Sequence, residues 1–196
     1  MYCDTLHNMV KVIVSVTFLL FMGSYVVTGW SIQLISLLAL ATLTMPLVIT
    51  DIKEHRLPNS LTFAGFIAGL GVSIVLAIKE NNFLPLIHAL GVAILTGFAF
   101  LLLNLSSRGG MGMGDVKLAI MLSALIAPSG WQVLVMGFFV AFALGAIFAL
   151  ILLARKKANR KTLIPFGPYL LVGAWVSLFI GAEKAQHLID LLLINS

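Results

Sequence analysis

The sequence predicts an all-α protein, a polytopic transmembrane helical bundle of about seven spans with its N-terminus in the cytoplasm. Three observations carry that expectation. First, 61% of the 196 residues are hydrophobic and only 10% are charged, with a mean hydropathy of +1.11. A water-soluble domain carries about 25% charge, so a soluble enzyme, a disordered tail and a disulfide-rich secreted module are all excluded. Second, long runs lack Asp, Glu, Lys and Arg altogether: 39 residues from Val12 to Thr50, 19 from Ser60 to Ile78, 25 from Phe83 to Ser107, 37 from Leu118 to Ala154 and 21 from Thr162 to Ala182. A helix needs about 20 apolar residues to cross a bilayer, so the two longest runs hold two spans each. Third, the cations are distributed unevenly between the loops.

Turn chemistry divides the long runs. Thr28-Gly29-Trp30-Ser31 breaks the first and Pro128-Ser129-Gly130 the second, and Trp30 and Trp131 suit the aromatic belt at a membrane interface. The expected spans are 10–28, 31–51, 60–79, 84–105, 112–127, 131–154 and 163–182. The first apolar run continues to Val27 without a clear small-x-small cleavage site, so it reads as a retained span and not as a secretory signal. A cytoplasmic N-terminus puts ten of the twelve Lys and Arg residues inside and leaves only Lys79 and Lys184 outside. Lys and Arg in short loops set topology in that sense. The basic cluster 155–161 reads as a loop held inside, and the net charge of +5 reflects attraction to anionic lipid headgroups and not to nucleic acid. With loops this short, residues 1–196 form one membrane domain, and 183–196 form a short extracytoplasmic tail.

The single cysteine, Cys3, excludes an internal disulfide and a CxxC-type zinc site. With no His/Cys ligand set, no metal or other cofactor is expected and zinc chelators should have no effect. Seven acids remain, and solvation in tails and loops explains five of them. Asp51 directly continues the apolar run Leu47-Val48-Ile49-Thr50. Asp115 opens the fifth span, and Pro128 follows only thirteen positions later. At 1.5 Å per residue that helix covers about 20 Å, so Asp115 is drawn towards the membrane boundary. The two acids are 64 residues apart with two complete spans between them. An even number of crossings returns the chain to the same leaflet, so both lie at comparable depth on the cytoplasmic side.

Ionisable groups in spans are costly and tend to be functional. Two carboxyls that approach closely share one proton, so that one serves as base towards a water and the other donates to a carbonyl oxygen. The plainer alternative is a helix-end acid at Asp51 and an N-cap at Asp115. The run Gly109-Gly110-Met111-Gly112-Met113-Gly114 before Asp115 presents a wall without side chains, along which another backbone can approach the carboxylate. A flexible interhelical loop also contains such glycines.

Gly112-Met113-Gly114-Asp115 followed by Val116-Lys117-Leu118 resembles the GxGD signature of the type IV prepilin peptidases, which are membrane aspartic proteases. Asp51-Ile52-Lys53-Glu54-His55-Arg56-Leu57-Pro58-Asn59 resembles the family's first-aspartate segment, and Pro165-Phe166-Gly167-Pro168 a third. The match runs from about residue 35 to 180 with the motifs in the expected order. Presenilin-type GxGD proteases fit less well, because their first acid follows Tyr where Thr50 stands here, and their Pro-Ala-Leu segment is absent. The resemblance implies a multi-pass enzyme of the bacterial inner membrane with Asp51 and Asp115 catalytic. Its substrate would be a type IV prepilin or pseudopilin precursor, whose short basic leader is removed at the cytoplasmic face. Many family members also carry a cysteine-containing cytoplasmic insertion and methylate the new N-terminus. Neither cysteine pair nor insertion is found here, so the resemblance implies a short form without methyltransferase activity.

Gly112, Gly114, Lys117, Pro58, Asn59, Pro165 and Gly167 are the expected site-shaping or substrate-binding residues, each with a structural alternative. Lys117 contacts substrate or snorkels to a lipid headgroup; two residues from Asp115 on a helix, it does not face that acid. Pro58 restricts Leu57 to extended conformations, and Asn59 or Ser60 caps the third span. Lys53, His55 and Arg56 supply interface charge, and His88 is structural. Pro165 and Pro168 either break a helix beside the site or simply begin one. Two rival functions stand beside the peptidase: a proton-coupled transporter, which also uses intramembrane acids and broken helices but near the midplane, and a non-catalytic pilus-assembly subunit.

Overall fold

The computed structural model describes residues 2–54, 56–106, 111–155 and 165–181, together with Lys184 and His187. Seven α-helices follow in order: α1 (Tyr2–Thr28), α2 (Gln33–Glu54), α3 (Asn59–Lys79), α4 (Leu84–Ser106), α5 (Met113–Ile126), α6 (Trp131–Ala154) and α7 (Gly167–Ile180). A single 3-10 turn, Ala127–Ser129, joins α5 to α6, and no strand occurs among the described residues. The tail beyond His187, the cluster 156–161, His55 and Gly109-Gly110 lie outside the described residues.

Five helices, those from Val10 to Thr28 and α2, α3, α4 and α6, are long and apolar enough to cross a membrane. Their outer surfaces are oily: Val26, Ile78, Ile94 and Leu95 are all more than two-thirds exposed. An apolar surface of this extent suits lipid and not water. The other two helices are shorter than expected for full spans, at 14 residues each, or about 21 Å. For α7 the reason is local. The helix begins at Gly167 and not near 163, with Pro168 in its first turn, where a missing N–H costs nothing. For α5 the reason is its position: it packs against α2, α3, α4, α6 and α7, which shield it from lipid.

The core therefore forms around α5. Leu118, Met121, Leu122, Leu125 and Ile126 are fully buried there, against Leu37, Leu40 and Leu47 of α2 and Leu170, Leu171 and Leu178 of α7. Polar clips tie these helices together. Trp175 Nε1 donates to Thr44 Oγ1 at 3.0 Å between α7 and α2, and Gln33 Nε2 donates to the Pro128 carbonyl at 2.9 Å at the opposite end from the acids. Such bonds matter because lipid offers no competing partner.

Small residues set how closely the helices approach. Gly65, Gly69 and Ser73 recur every four positions on the buried face of α3, a spacing that lets backbones meet. A β-carbon at Gly69 would lie 2.5 Å from the Ala124 carbonyl carbon of α5. Gly69→Val must therefore push α3 away from the helix that carries Asp115. Its expected cost is about 1–3 kcal/mol, read as a lowered unfolding midpoint in detergent. Gly71→Val, two residues on and facing open space, is the matched control and should leave the midpoint nearly unchanged.

Candidate active site

Asp51 lies in the last turn of α2 and Asp115 is the third residue of α5. Both are buried, at 5% and 6% exposure, and α3 and α4 carry the chain away and back between them. They lie at the same end of the bundle, Asp51 closing α2 and Asp115 opening α5. Burying a carboxylate is expensive, and the structure offsets that cost with helix ends. Asp51 Oδ2 accepts the Gly167 N–H at 3.0 Å, at the first residue of α7. Asp115 Oδ2 accepts the Gly112 N–H at 3.2 Å, at the N-cap of α5. Each carboxylate therefore sits at the positive end of a helix dipole.

Neighbouring side chains fix those two amides. Phe166 fills the notch over Gly145 of α6, where a β-carbon would lie 2.8 Å from its ring, and it packs against Phe142 with ring centroids 5.1 Å apart. That wedge sets the start of α7. At α5, Asn104 Nδ2 of α4 donates to the Met111 carbonyl at 2.7 Å and holds the residue just before the N-cap.

A profile of the type IV leader peptidase family matches residues 37–150, a stretch that contains both acids. The chain belongs to the type IV leader peptidase family. It is 32% identical over 160 residues to a Stutzerimonas stutzeri protein named prepilin leader peptidase/N-methyltransferase, covering 79% of this chain and 52% of that relative. A Pseudomonas putida protein of the same name is 31% identical over 160 residues, with 79% and 53% covered. A Pseudomonas aeruginosa protein of that name is 40% identical over 78 residues, covering 40% of this chain and 26% of its own length. The chain spans about half the length of the first two relatives. No solved structure matches it significantly. Family and apolar helices together make it a multi-pass membrane protein.

In this leader-peptidase family member several expected site residues surround the two acids, though not all in the expected roles. Gly112 and Gly167 each supply an amide to a carboxylate, and a β-carbon at Gly167 would lie 2.6 Å from Asp51 Oδ2. At Gly114 the neighbour is the protein's own chain: a β-carbon there would lie 3.2 Å from Leu57 Cβ and 3.4 Å from Leu57 N. Leu57 thus uses the side-chain-free wall and is buried beside it. Pro58, and not Asn59 or Ser60, is the N-cap of α3, and its carbonyl accepts the Leu61 and Thr62 amides. No side chain caps that helix, which leaves the Asn59 amide free to accept from Lys117 Nζ at 2.8 Å. Lys117 is therefore clipped to α3 and does not simply snorkel. Asp115 is likewise not an N-cap. It reaches back to the N-cap amide from the third position.

Pro165 is placed apart from the end groove. It lines an apolar groove of about 600 Å³ between α6 and α7, with Ile52 and Pro168. A second groove, of about 520 Å³, runs over the end of the bundle past Glu54, Leu57, Gly112 and Lys117. Among the described residues no three His, Cys, Asp or Glu side chains converge as metal ligands do. Sequence reasoning missed Leu57, Phe166 as a wedge and Asn104. None has a local signature: Leu57 and Phe166 act through partners far along the chain, and Asn104 reaches across the turn between α4 and α5.

Proposed function

We propose that this protein is an aspartic endopeptidase that removes the short basic leader of type IV prepilin or pseudopilin precursors at the cytoplasmic face of the bacterial inner membrane. Residues 1–196 act as one membrane domain. The observation that carries this reading is the pair of buried carboxylates at one end of the bundle, each accepting a glycine amide at the start of a helix. Family membership supports it, as do the names of the relatives.

The pair holds one proton between its members. The ionised carboxylate takes a proton from a water whose oxygen attacks the scissile carbonyl carbon. The protonated one donates to the carbonyl oxygen, giving a neutral tetrahedral diol. Collapse then breaks the C–N bond: the proton taken from water passes to the leaving nitrogen, and a diol hydroxyl returns its proton to the other carboxylate as the new carbonyl forms. Both carboxylates end as they began, with one shared proton. The glycine amides orient the carboxylates throughout and exchange no protons.

The cytoplasmic orientation rests on charge. Lys53, Arg56, Lys117 and Arg155 lie at the end that holds the acids, and Lys79 at the other, the bias expected of cytoplasmic loops. Acids at one end and not at mid-depth favour a peptidase over a proton-coupled transporter. Purified protein in liposomes with a precursor that has a basic leader before its apolar helix tests the reading. Shortening of the precursor by its leader is expected. An intact precursor after prolonged incubation with folded protein would contradict it.

A further inference from the structure

Helix α5 carries Asp115 yet barely reaches the surface. After Asp115 it is buried at Val116, Leu118 and Ala119 and at every residue from Met121 to Ile126. Only Lys117 and Ile120 emerge there, and with Met113 in the first turn they form a stripe at i, i+4 and i+7. That stripe joins two depressions. Met113 and Lys117 line the groove across the end of the bundle. Lys117 and Ile120 line a lateral groove of about 270 Å³ with Thr62, Phe63 and Phe66 of α3. Asn59 and Lys117, joined by their 2.8 Å hydrogen bond, line both grooves and form the corner between them.

The result is one bent track that passes the helix turn holding Asp115. Its chemistry changes along the way, from Glu54, Arg56 and Asn59 on the end face to Phe63, Phe66 and Ile120 on the flank. Phe63 is 63% exposed and offers an aromatic surface to whatever lies in the lipid beside it. We infer that the apolar helix of the precursor docks on this α3–α5 face, while its leader bends around the Asn59–Lys117 corner onto the end of the bundle. The inference rests on the peptidase reading and adds the route by which the substrate enters. A segment that turns from polar to apolar as it passes from water into lipid matches the track at both ends. Helix-in-groove recognition uses such a stripe of anchors. The groove between α6 and α7 is roomier, but none of its lining residues belongs to the end groove, so a chain lying there leaves the track.

A photoreactive benzoyl-phenylalanine in the first two turns of the precursor's apolar helix reads the route directly. The precursor is held on the Asp115→Asn protein in liposomes, irradiated, and the adducts are located by mass spectrometry. Adducts on the α3 and α5 peptides that contain Phe63, Phe66 and Ile120 are expected. Adducts confined to α6 and α7, or none at all while the wild type cleaves the same precursor, would overturn the docking and leave the peptidase reading intact. Failure of the wild type to cleave removes both. As a second measure, Ile120→Trp fills the lateral groove and should raise KM by about tenfold with kcat little changed. Ile147→Trp, in the groove between α6 and α7, should leave KM unaltered. Equal effects of the two substitutions would also count against the route.

Discussion

Asp51→Asn and Asp115→Asn are each expected to lower precursor cleavage by about 10³-fold or more, the scale of losing a general acid or base whose partner cannot act alone. Neither substitution should unfold the protein. The Asn carbonyl oxygen can still accept the Gly167 or Gly112 amide that now holds the carboxylate, and no buried charge is added in either case. Because the pair acts as a unit, the double variant should be no slower than either single one, in contrast to the multiplied losses of independent residues. Initial rates in liposomes, with unfolding midpoints measured on the same preparations, check this. A single variant that cleaves at the wild-type rate would remove that acid from the mechanism.

Gly167→Ala should produce the next largest loss. The added β-carbon would stand 2.6 Å from Asp51 Oδ2 and 3.0 Å from its carboxyl carbon, so either the carboxylate swings away or the start of α7 retreats. Both outcomes break the 3.0 Å hydrogen bond and misplace one reacting group, a displacement of a kind that costs about 10²-fold. Gly167 lines neither the end groove nor the flanking groove on α3 and α5, so the loss should fall on kcat while KM changes little. Steady-state kinetics with the same precursor make the distinction. Wild-type kcat in the Ala variant would mean that the Gly167 amide does not position Asp51.

The helices were legible in the sequence because lipid imposes a simple code. Uncharged runs of about 20 residues bounded by Gly, Pro, Asn or charge give the spans, and the starts of α3, α4 and α6 fall within a residue or so of expectation. The return of Asp51 and Asp115 to one end was also legible, because two crossings between them fix it whatever the packing. Less visible was what surrounds them. Leu57 against Gly114, Phe166 over Gly145 and Asn104 on the Met111 carbonyl each join a helix residue to a residue in a connecting segment, and no local pattern announces such pairs. The cap of α3 was misread for a related reason. Asn59 is a good capping residue in isolation, but its side chain is used by Lys117, 58 positions away. The every-fourth small residues Gly65, Gly69 and Ser73 were a usable signal for the close approach of α3 to α5.

Proximity of the two acids can be measured without relying on catalysis. With Cys3→Ser as background, Asp51→Cys and Asp115→Cys combined in one chain should be bridged within the molecule by the shortest bis-methanethiosulfonate reagent, giving a shifted band that reductant reverses. Each single cysteine should react with a monofunctional reagent of the same class, which shows that both thiols are reachable. If both thiols react singly yet no bridge forms, residues 51 and 115 do not meet, and the proposed pair cannot act on one water.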